Sequence, residues 1–497
     1  MADFNRTEAA AREESQGCQG GDIFDRLRRQ VHKRLGQFRQ QGPTPRSAYD
    51  LEKDIKTMFD GTARALLEEE YNHLEAEDKQ QAAPRVRYHK QTYRINKRTK
   101  ATVATSFGPI TLWSFLYLND EDGEPGLHPL HVQLGMVAGA TPVLAERVAR
   151  WAVDHSQQAV RELLLSEHGL KWSNDRLRAL LGGFQRLVVA FRPQAQKERL
   201  LQWLGQAERS RGRHRPVLAV GRDGVMVPIR GGGYQEASTA TVSVYDRRRK
   251  RLGTVYLGQM PEAHQATMSQ ELTALVTAVL AEWSGPLPRL AYVTDKGQAQ
   301  DDYYRRVLKR LKNPRQPQQR LQWEWVLDFF HVCGYVSKVR EALFGRFSNK
   351  GQRWFKRMRQ WLGQRQHGVA NILRSAIQHY RRCDLSEAAE AEFWKAYRYL
   401  RLHQRWMDYP RYRRQGLPIG SGVTEAACKT VFTQRLKRSG MRWHKESGQV
   451  IVDLRVLHLS GIWHDVVRRD LDSRRLPETI KRVSQRLPRA RTLKKAA

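Results

Sequence analysis

The sequence predicts an α/β protein: a mixed sheet with helices on both faces, interrupted by an all-α insertion and preceded by a mostly helical region. Three observations carry this expectation. Residues 210–335 give the order strand, strand, strand, helix, strand, helix, strand. Residues 336–410 read as helices rich in Arg, Trp and Tyr. Residues 1–84 read as two or three polar helices, and 85–200 as short strands followed by helices. A chain of 497 residues exceeds one ordinary domain, so several segments are expected.

The sheet is the clearest part. Val217-Leu-Ala-Val220 is a continuous apolar run, as in a strand buried on both faces, and Asp223 is read as its end. Ala237–Tyr245 and Leu252–Leu257 alternate, joined by the basic tip Asp246–Lys250. Thr267 with Gln270 reads as a capping box. The stripe Leu272, Leu275, Val276, Val279, Leu280 and Trp283 then marks a helix. Leu290–Asp295 is the fourth strand. A short helix through Tyr304, Val307, Leu308 and Leu311 leads to the fifth, Trp323–His331. Three strands in a meander, then alternation with helices, is the order of a ribonuclease-H-like fold. Gly416–Gly422 reads as a loop, followed by a helix from about Val423 to Lys437 and another over Val450–Leu459.

Upstream, Tyr93–Arg98, Thr102–Ser106 and Ile110–Leu116 read as antiparallel strands with a basic face. Asn119–Pro129 is an acidic loop and a boundary. A helix through Val160, Leu163 and Leu164, a stop at Gly169, and a helix opened by Ser173 with Arg176 and Arg178 near its start resemble a helix-turn-helix. An ordinary helical hairpin reads the same way. The expected organisation is therefore a helical region (1–84), a β-ribbon and helix-turn-helix-like DNA-binding region (85–200), a first part of a catalytic core (210–335) and a helical insertion (336–410). A second core part with a Glu-bearing helix (411–465) and a basic, poorly ordered tail (466–497) complete it.

Charge narrows the partner. Lys and Arg total 87 against 51 Asp and Glu, a net +36 with pI about 10.4. So large an imbalance repels itself in a compact state unless a polyanion neutralises it. Nucleic acid is the expected partner, and a membrane surface the weaker alternative. Cys18, Cys333, Cys383 and Cys428 form no CxxC pair, which argues against a zinc ribbon or a disulfide framework. No signal-like N-terminal run occurs, and no apolar stretch reaches the ~18 residues of a spanning helix. A cytosolic protein follows, with no membrane partner.

Three acids stand at topologically matched points: Asp223 after the first strand, Asp295 after the fourth and Glu425 at the start of a helix. In such a sheet strands one and four are neighbours, so their terminal carboxylates can meet, and a helix across that edge can add the third. Converging carboxylates repel unless divalent cations neutralise them, and Mg²⁺ (or Mn²⁺) prefers such oxygen ligands. Two ions ~4 Å apart can activate a water or 3′-hydroxyl and stabilise the leaving oxygen in an in-line phosphoryl transfer. The plainer readings are turn residues for Asp223-Gly224 and Asp295-Lys-Gly297, and a dipole-complementing acid for Glu425.

The segments Val220-Gly-Arg-Asp-Gly-Val, Tyr292-Val-Thr-Asp-Lys-Gly, Leu327-Asp-Phe-Phe-His-Val and Ile419-Gly-Ser-Gly-Val-Thr-Glu-Ala-Ala-Cys-Lys, followed by Gln434-Arg-Leu-Lys-Arg-Ser-Gly-Met-Arg-Trp443, resemble the DDE transposases of bacterial insertion sequences. The ISKra-type and Mutator-like groups are the most similar. The resemblance covers about residues 85–465. It implies a ribonuclease-H-like catalytic domain with Asp223, Asp295 and Glu425 as catalytic, metal-holding residues. It also implies two Mg²⁺ or Mn²⁺ ions, double-stranded DNA partners (terminal inverted repeats and target) and a homo-oligomer on DNA in the bacterial cytosol or nucleoid. Relatives often carry a Cys-containing ribbon after the early strands, and here that loop has no Cys. Asp328 and His331 lie where Mutator-like relatives carry a Cys/His pair. Asp328 is thus the rival second carboxylate, with Asp295 favoured because the fourth strand neighbours the first; His331 reads equally as a buried core histidine. Lys429, at i+4 from Glu425, with Arg435, Lys437, Arg438 and Arg442 are the expected phosphate contacts. Trp323, Trp325, Trp354 and Trp361 read as core. The alternatives are a metal-dependent nuclease of the same fold without strand transfer, and a non-catalytic DNA-binding protein.

Overall fold

The computed structural model describes residues 23–119 and 125–480; Cys18, residues 120–124 of the acidic loop and the end of the basic tail lie outside them. The chain is mixed α/β and divides into two units: residues 1–148, 157–183 and 473–497, and residues 149–156 and 184–472. Among the described residues no helix is long and apolar enough to cross a membrane.

In the first unit, helices Ile23–Gln41 and Pro45–His73 precede a meander of β1 (Arg85–Tyr88), β2 (Gln91–Thr105) and β3 (Gly108–Asn119). The second helix starts at a capping box in which Thr44 and Ser47 exchange hydrogen bonds with each other's backbone N–H. The segments expected as separate strands over 93–98 and 102–106 form one strand, β2. Its pairing with β3 continues along its length, and the irregularity falls in a bulge between Ile95 and Lys97. Arg94, Lys97, Arg98 and Lys100 are exposed on it, and the Arg98 and Lys100 cations lie 5.6 and 5.7 Å from the Trp113 ring centroid. The helix pair is present as Gln157–His168 and Asn174–Val189, with Gly169 at φ +64°. Ser173 accepts from the Arg176 N–H at the second start. Arg176 lies over Trp172 at 4.7 Å and is half-buried, whereas Arg178 pairs with Asp175 at the surface.

The tail differs from expectation. Trp463–Ser473 is a helix, because Trp463 and Val466 bury an apolar stripe, and Glu478–Thr479 adds a short strand to β1. Both elements lie wholly or mostly in the segment expected to be poorly ordered.

The second unit holds a five-stranded sheet. Its strands are β4 (Val217–Ile229), β5 (Gly233–Tyr245), β6 (Arg251–Gln259), β7 (Arg289–Thr294) and β10 (Trp323–Leu327). The last follows a small hairpin of β8 (Lys312–Asn313) and β9 (Gln316–Arg320). The spatial order is β10-β7-β4-β5-β6. The meander β4–β6 is antiparallel, while β7 and β10 run parallel to β4. The first and fourth strands are neighbours, as the element order predicts. Alternation sends side chains into two cores. Val217, Ala219, Ala291, Val293 and Val326 join the insertion helices, whereas Leu218, Val220, Leu290, Tyr292 and Trp325 pack against helices Arg192–Arg209 and Ala266–Glu282. This two-sided burial is why β4 reads as an unbroken apolar run.

Two local expectations fail. The 266–282 helix is not capped by Thr267. Its N-cap is Gln265 in the left-handed region, and the Glu262 carboxylate accepts from the N–H groups of Thr267 and Met268. The fifth strand stops at Leu327, since Asp328 caps the helix Phe329–Phe344 and turns the chain out of the sheet. The all-α insertion thus begins earlier than residue 336, and continues through Asn349–Gln364, Gly368–Tyr380, Glu387–His403 and Tyr409–Gln415. Trp323, Trp325 and Trp354 are buried core and Trp361 packs partly buried against it, as expected.

One cluster in the first unit makes its stability pH-dependent. The buried Ser114 hydroxyl lies 3.0 Å from His128 Nδ1 and 3.2 Å from His131 Nε2, and the two rings stack at 4.6 Å. Burial lowers both imidazoles, and the neighbouring His128 helps hold His131 down to about 4. A histidine kept neutral in the fold takes up a proton on unfolding at mildly acidic pH. Its contribution is therefore intact above the ordinary value near 6.5 and is lost as pH falls towards 4. The thermal midpoint is expected to fall between pH 7 and pH 5 in the wild type, and to fall less in His131→Gln. Parallel curves for the two proteins would reject this origin.

Candidate active site

The parallel pairing of β4 with β7 ends at Val220 opposite Tyr292. Asp223 and Asp295 each lie three residues beyond that last pair, so they stand at one level on adjacent strands. They also share the parity of Val217, Ala219, Ala291 and Val293, and so point to the side of the helical insertion. Asp223 does not end its strand, as read from the sequence. β4 continues to Ile229 because β5 pairs with it throughout, and only the parallel neighbour stops.

Glu425 arrives on a helix that runs Gly422–Ala427, passes through a π-helical stretch Cys428–Thr433 and closes with Gln434–Leu436. A glycine lets this helix sit against β4. A Cβ at Gly221 would lie 1.9 Å from Thr424 Oγ1, and that hydroxyl hydrogen-bonds Thr241 on β5 at 2.8 Å. Cys428, one turn further, donates its thiol to Asp223 Oδ2 at 3.3 Å. The buried Arg455 guanidinium donates to the Thr430 and Val431 carbonyls, engaging acceptors inside the π stretch.

The Gly420-Ser-Gly422 loop is fixed from below. Asp328 is only 1% exposed; one oxygen accepts the His331 N–H, and the other accepts both the N–H and the hydroxyl of Ser421. The Ser421 hydroxyl also lies 2.9 Å from Glu425 Oε1, so its one proton serves either carboxylate while the Ser421 N–H stays on Asp328. Asp328 is thus a saturated structural carboxylate, while Asp295 is half-buried and Glu425 exposed. His331 is exposed, not a core histidine, beside Tyr335 and Tyr399, whose rings stack at 3.7 Å. Tyr399 donates its hydroxyl to the Asp295 carbonyl at 3.2 Å.

Electrostatics register the convergence. Burial pushes the Asp223 carboxyl up to about 6, and the negative charges of Asp295 and then Glu425 add to it against the hydrogen bonds from Gly224 and Cys428. Burial and the Asp223 charge also raise the Cys428 thiol, so it stays a protonated donor. Lys296, next to Asp295, is committed elsewhere: it pairs with Asp301 at 2.5 Å and lies against both the Trp325 and Trp406 rings. Among the described residues no three His, Cys, Asp or Glu side chains already stand in a metal-holding arrangement. The donor set itself, three carboxylates with their mutual repulsion uncompensated, suits a hard divalent cation.

The basic candidates separate. Arg435 is 1% exposed, donates to the Ala152 carbonyl and lies over Trp443, so it is a packing residue and not a phosphate contact. The i+4 argument for Lys429 assumed α-helical geometry, whereas Lys429 falls in the π stretch; it is nonetheless exposed. Lys437, Arg438 and Arg442 are exposed, although Arg438 also donates to the Asp154 carbonyl at 2.7 Å. Sequence reasoning missed Cys428, Thr424, Tyr335 and Tyr399. Only the first two lay in a recognisable motif, and their roles depend on what faces them across the fold.

No family model matches the chain, and no curated protein matches it.

The contact at Gly221 makes a sharp test. Gly221→Ala is expected to destabilise by about 1–3 kcal/mol, because its methyl overlaps Thr424 and the helix must shift. Gly221→Ala with Thr424→Ala should recover a good part of that loss in chemical denaturation, and independent, additive losses would refute the contact.

Proposed function

We propose that this chain is a DNA transposase with a ribonuclease-H-like catalytic domain, cleaving and joining DNA strands by divalent-metal-dependent phosphoryl transfer at Asp223, Asp295 and Glu425. The observation that carries the reading is the level placement of Asp223 and Asp295 on adjacent parallel strands, with the Glu425 helix seated over them through Gly221. The strand order β10-β7-β4-β5-β6, with its antiparallel meander and parallel pair, supports the ribonuclease-H-like assignment. Asp223, Asp295 and Glu425 would hold the Mg²⁺ or Mn²⁺ ions, which would supply charge neutralisation and an activated oxygen nucleophile. The chain's own work is positional. Asp328 fixes Ser421 through its backbone N–H, the Ser421 hydroxyl lies within reach of Glu425, and Cys428 donates to Asp223, so Glu425 and Asp223 are held from the same helical segment. The exposed Lys429, Lys437, Arg438 and Arg442 follow on the same segment and would hold flanking phosphates. The helix pair carrying Arg176 and Arg178 and the basic face of β2 would contribute to recognition of the element's ends.

Asp223→Ala, Asp295→Ala and Glu425→Ala are each expected to abolish Mg²⁺-dependent cleavage of DNA carrying the element ends while retaining DNA binding. Asp328→Asn should act mainly on the thermal midpoint. Activity surviving in Asp295→Ala but not in a folded Asp328→Asn would transfer the second carboxylate to Asp328. Cut ends without joined products would make the protein a nuclease, and no cleavage under any divalent metal would leave a DNA-binding scaffold.

Binding to duplex DNA should weaken steeply with salt, by about a thousandfold or more from 50 to 200 mM if six or more phosphates are neutralised. A flat response would remove the argument from the +36 charge.

A further inference from the structure

β4 and β5 continue as a two-stranded arm beyond the parallel sheet, from Asp223 to a Gly231-Gly232-Gly233 turn. Both ends of the arm are tied to the Glu425 segment. At its base Gly221 abuts Thr424; near its tip the Trp443 N–H donates to the Pro228 carbonyl and the Arg230 N–H to the Trp443 carbonyl. The arm is thus fixed in the frame of the candidate carboxylates. Its register sets Pro228 opposite Tyr234 and Met226 opposite Glu236, so Met226, Pro228 and Tyr234 share a face. Tyr234 is 63% exposed and Met226 46% exposed. A core residue would bury such rings; here the Tyr234 ring has the Lys437 ammonium 5.9 Å from its centroid. Arg230, beside His444, and Arg442 are also exposed along this part of the chain. An aromatic face interleaved with cations on a strongly basic chain has the chemistry of a platform for unpaired bases, with stacking on the ring and phosphates on the cations.

Resting on the transposase reading, we infer that Tyr234 and Lys437 form a stacking site for a nucleotide of single-stranded DNA, on the face of the arm opposite to the one that carries Asp223. Pro228, opposite Tyr234, lies five residues along β4 from Asp223, roughly 17 Å at ~3.3 Å per residue, and the odd spacing turns the two side chains to opposite faces. Glu236, on the same face but nearer the sheet, would repel phosphates and confine the strand to the tip.

The test is equilibrium binding of the full chain to a 20-nucleotide oligothymidylate and to a 20-base-pair duplex, without divalent metal and at one fixed salt concentration. Tyr234→Ala is expected to weaken oligothymidylate binding about tenfold and duplex binding less than twofold. Tyr234→Phe, which keeps the ring, should bind as the wild type does. Lys437→Ala should reduce the salt slope for the oligothymidylate by about one. The inference is overturned if Tyr234→Ala binds oligothymidylate like the wild type, if it loses both ligands equally, or if Tyr234→Phe loses as much as Ala. Because no cleavage is read, a chain that binds this way but never cuts DNA would sink the transposase reading and leave the stacking site standing.

Discussion

The carboxylate of Asp328 is the contact on which the candidate site hangs. It ends β10, caps the first insertion helix through the His331 N–H and holds Ser421 by two hydrogen bonds. A buried acid is costly unless its lone pairs are used, and here two backbone N–H groups use them, with the Ser421 hydroxyl shared between Asp328 and Glu425. The result is a rigid joint at which sheet, insertion and Gly-Ser-Gly loop meet. Ser421 passes that rigidity to Glu425 through its hydroxyl. The residue that looked like a rival catalytic acid therefore does its work by being unavailable.

Steric closeness completes the frame. Gly221 lets Thr424 contact β4, and Gly258 lets Val431 and Val452 contact β6, where an added Cβ would lie 3.0 and 2.7 Å from their methyl groups. A helix held this near two strands cannot slide without meeting backbone. Its middle turn is π-helical, and Arg455 engages two of its carbonyls. Such bulges are rare, and they frequently occur at functional sites. This one lies between Glu425 and the basic run, and sets the angle at which the second follows the first.

Much of the architecture was legible because the sheet is buried on both faces, which leaves long apolar runs at Val217–Val220 and Leu290–Val293 separated by amphipathic helices. The neighbourhood of strands one and four followed from element order alone. Local chemistry misled where a distant residue did the job. Thr267 looked like a cap, yet Glu262 supplies the carboxylate. Trp323–His331 looked like one strand, yet the Asp328 side chain turns the chain into a helix after Leu327. Arg435 looked like a phosphate contact because its neighbours are basic, but it is buried against Trp443. Helical spacing from Glu425 could not announce a π-helix, which depends on tertiary support from Arg455.

The charge distribution bears on how such a site would choose its ligand. The three acids sit within a chain of net +36, yet the cations that adjoin two of them in sequence are engaged elsewhere: Arg222 by Gln265, Ser269 and the Tyr303 ring, and Lys296 by Asp301 and two tryptophan rings. Were Lys296 free to pair with Asp295, it would neutralise the cluster internally and weaken any hold on an external cation. The Asp223 carboxyl is raised first by its burial and then by the negative charges of Asp295 and Glu425. The exposed Lys437, Arg438 and Arg442 are displaced along the chain from the acids. Under the proposed function, attraction for a divalent cation and attraction for a polyanion would be kept apart, and a phosphodiester would meet the outer cations while its scissile group met the carboxylates.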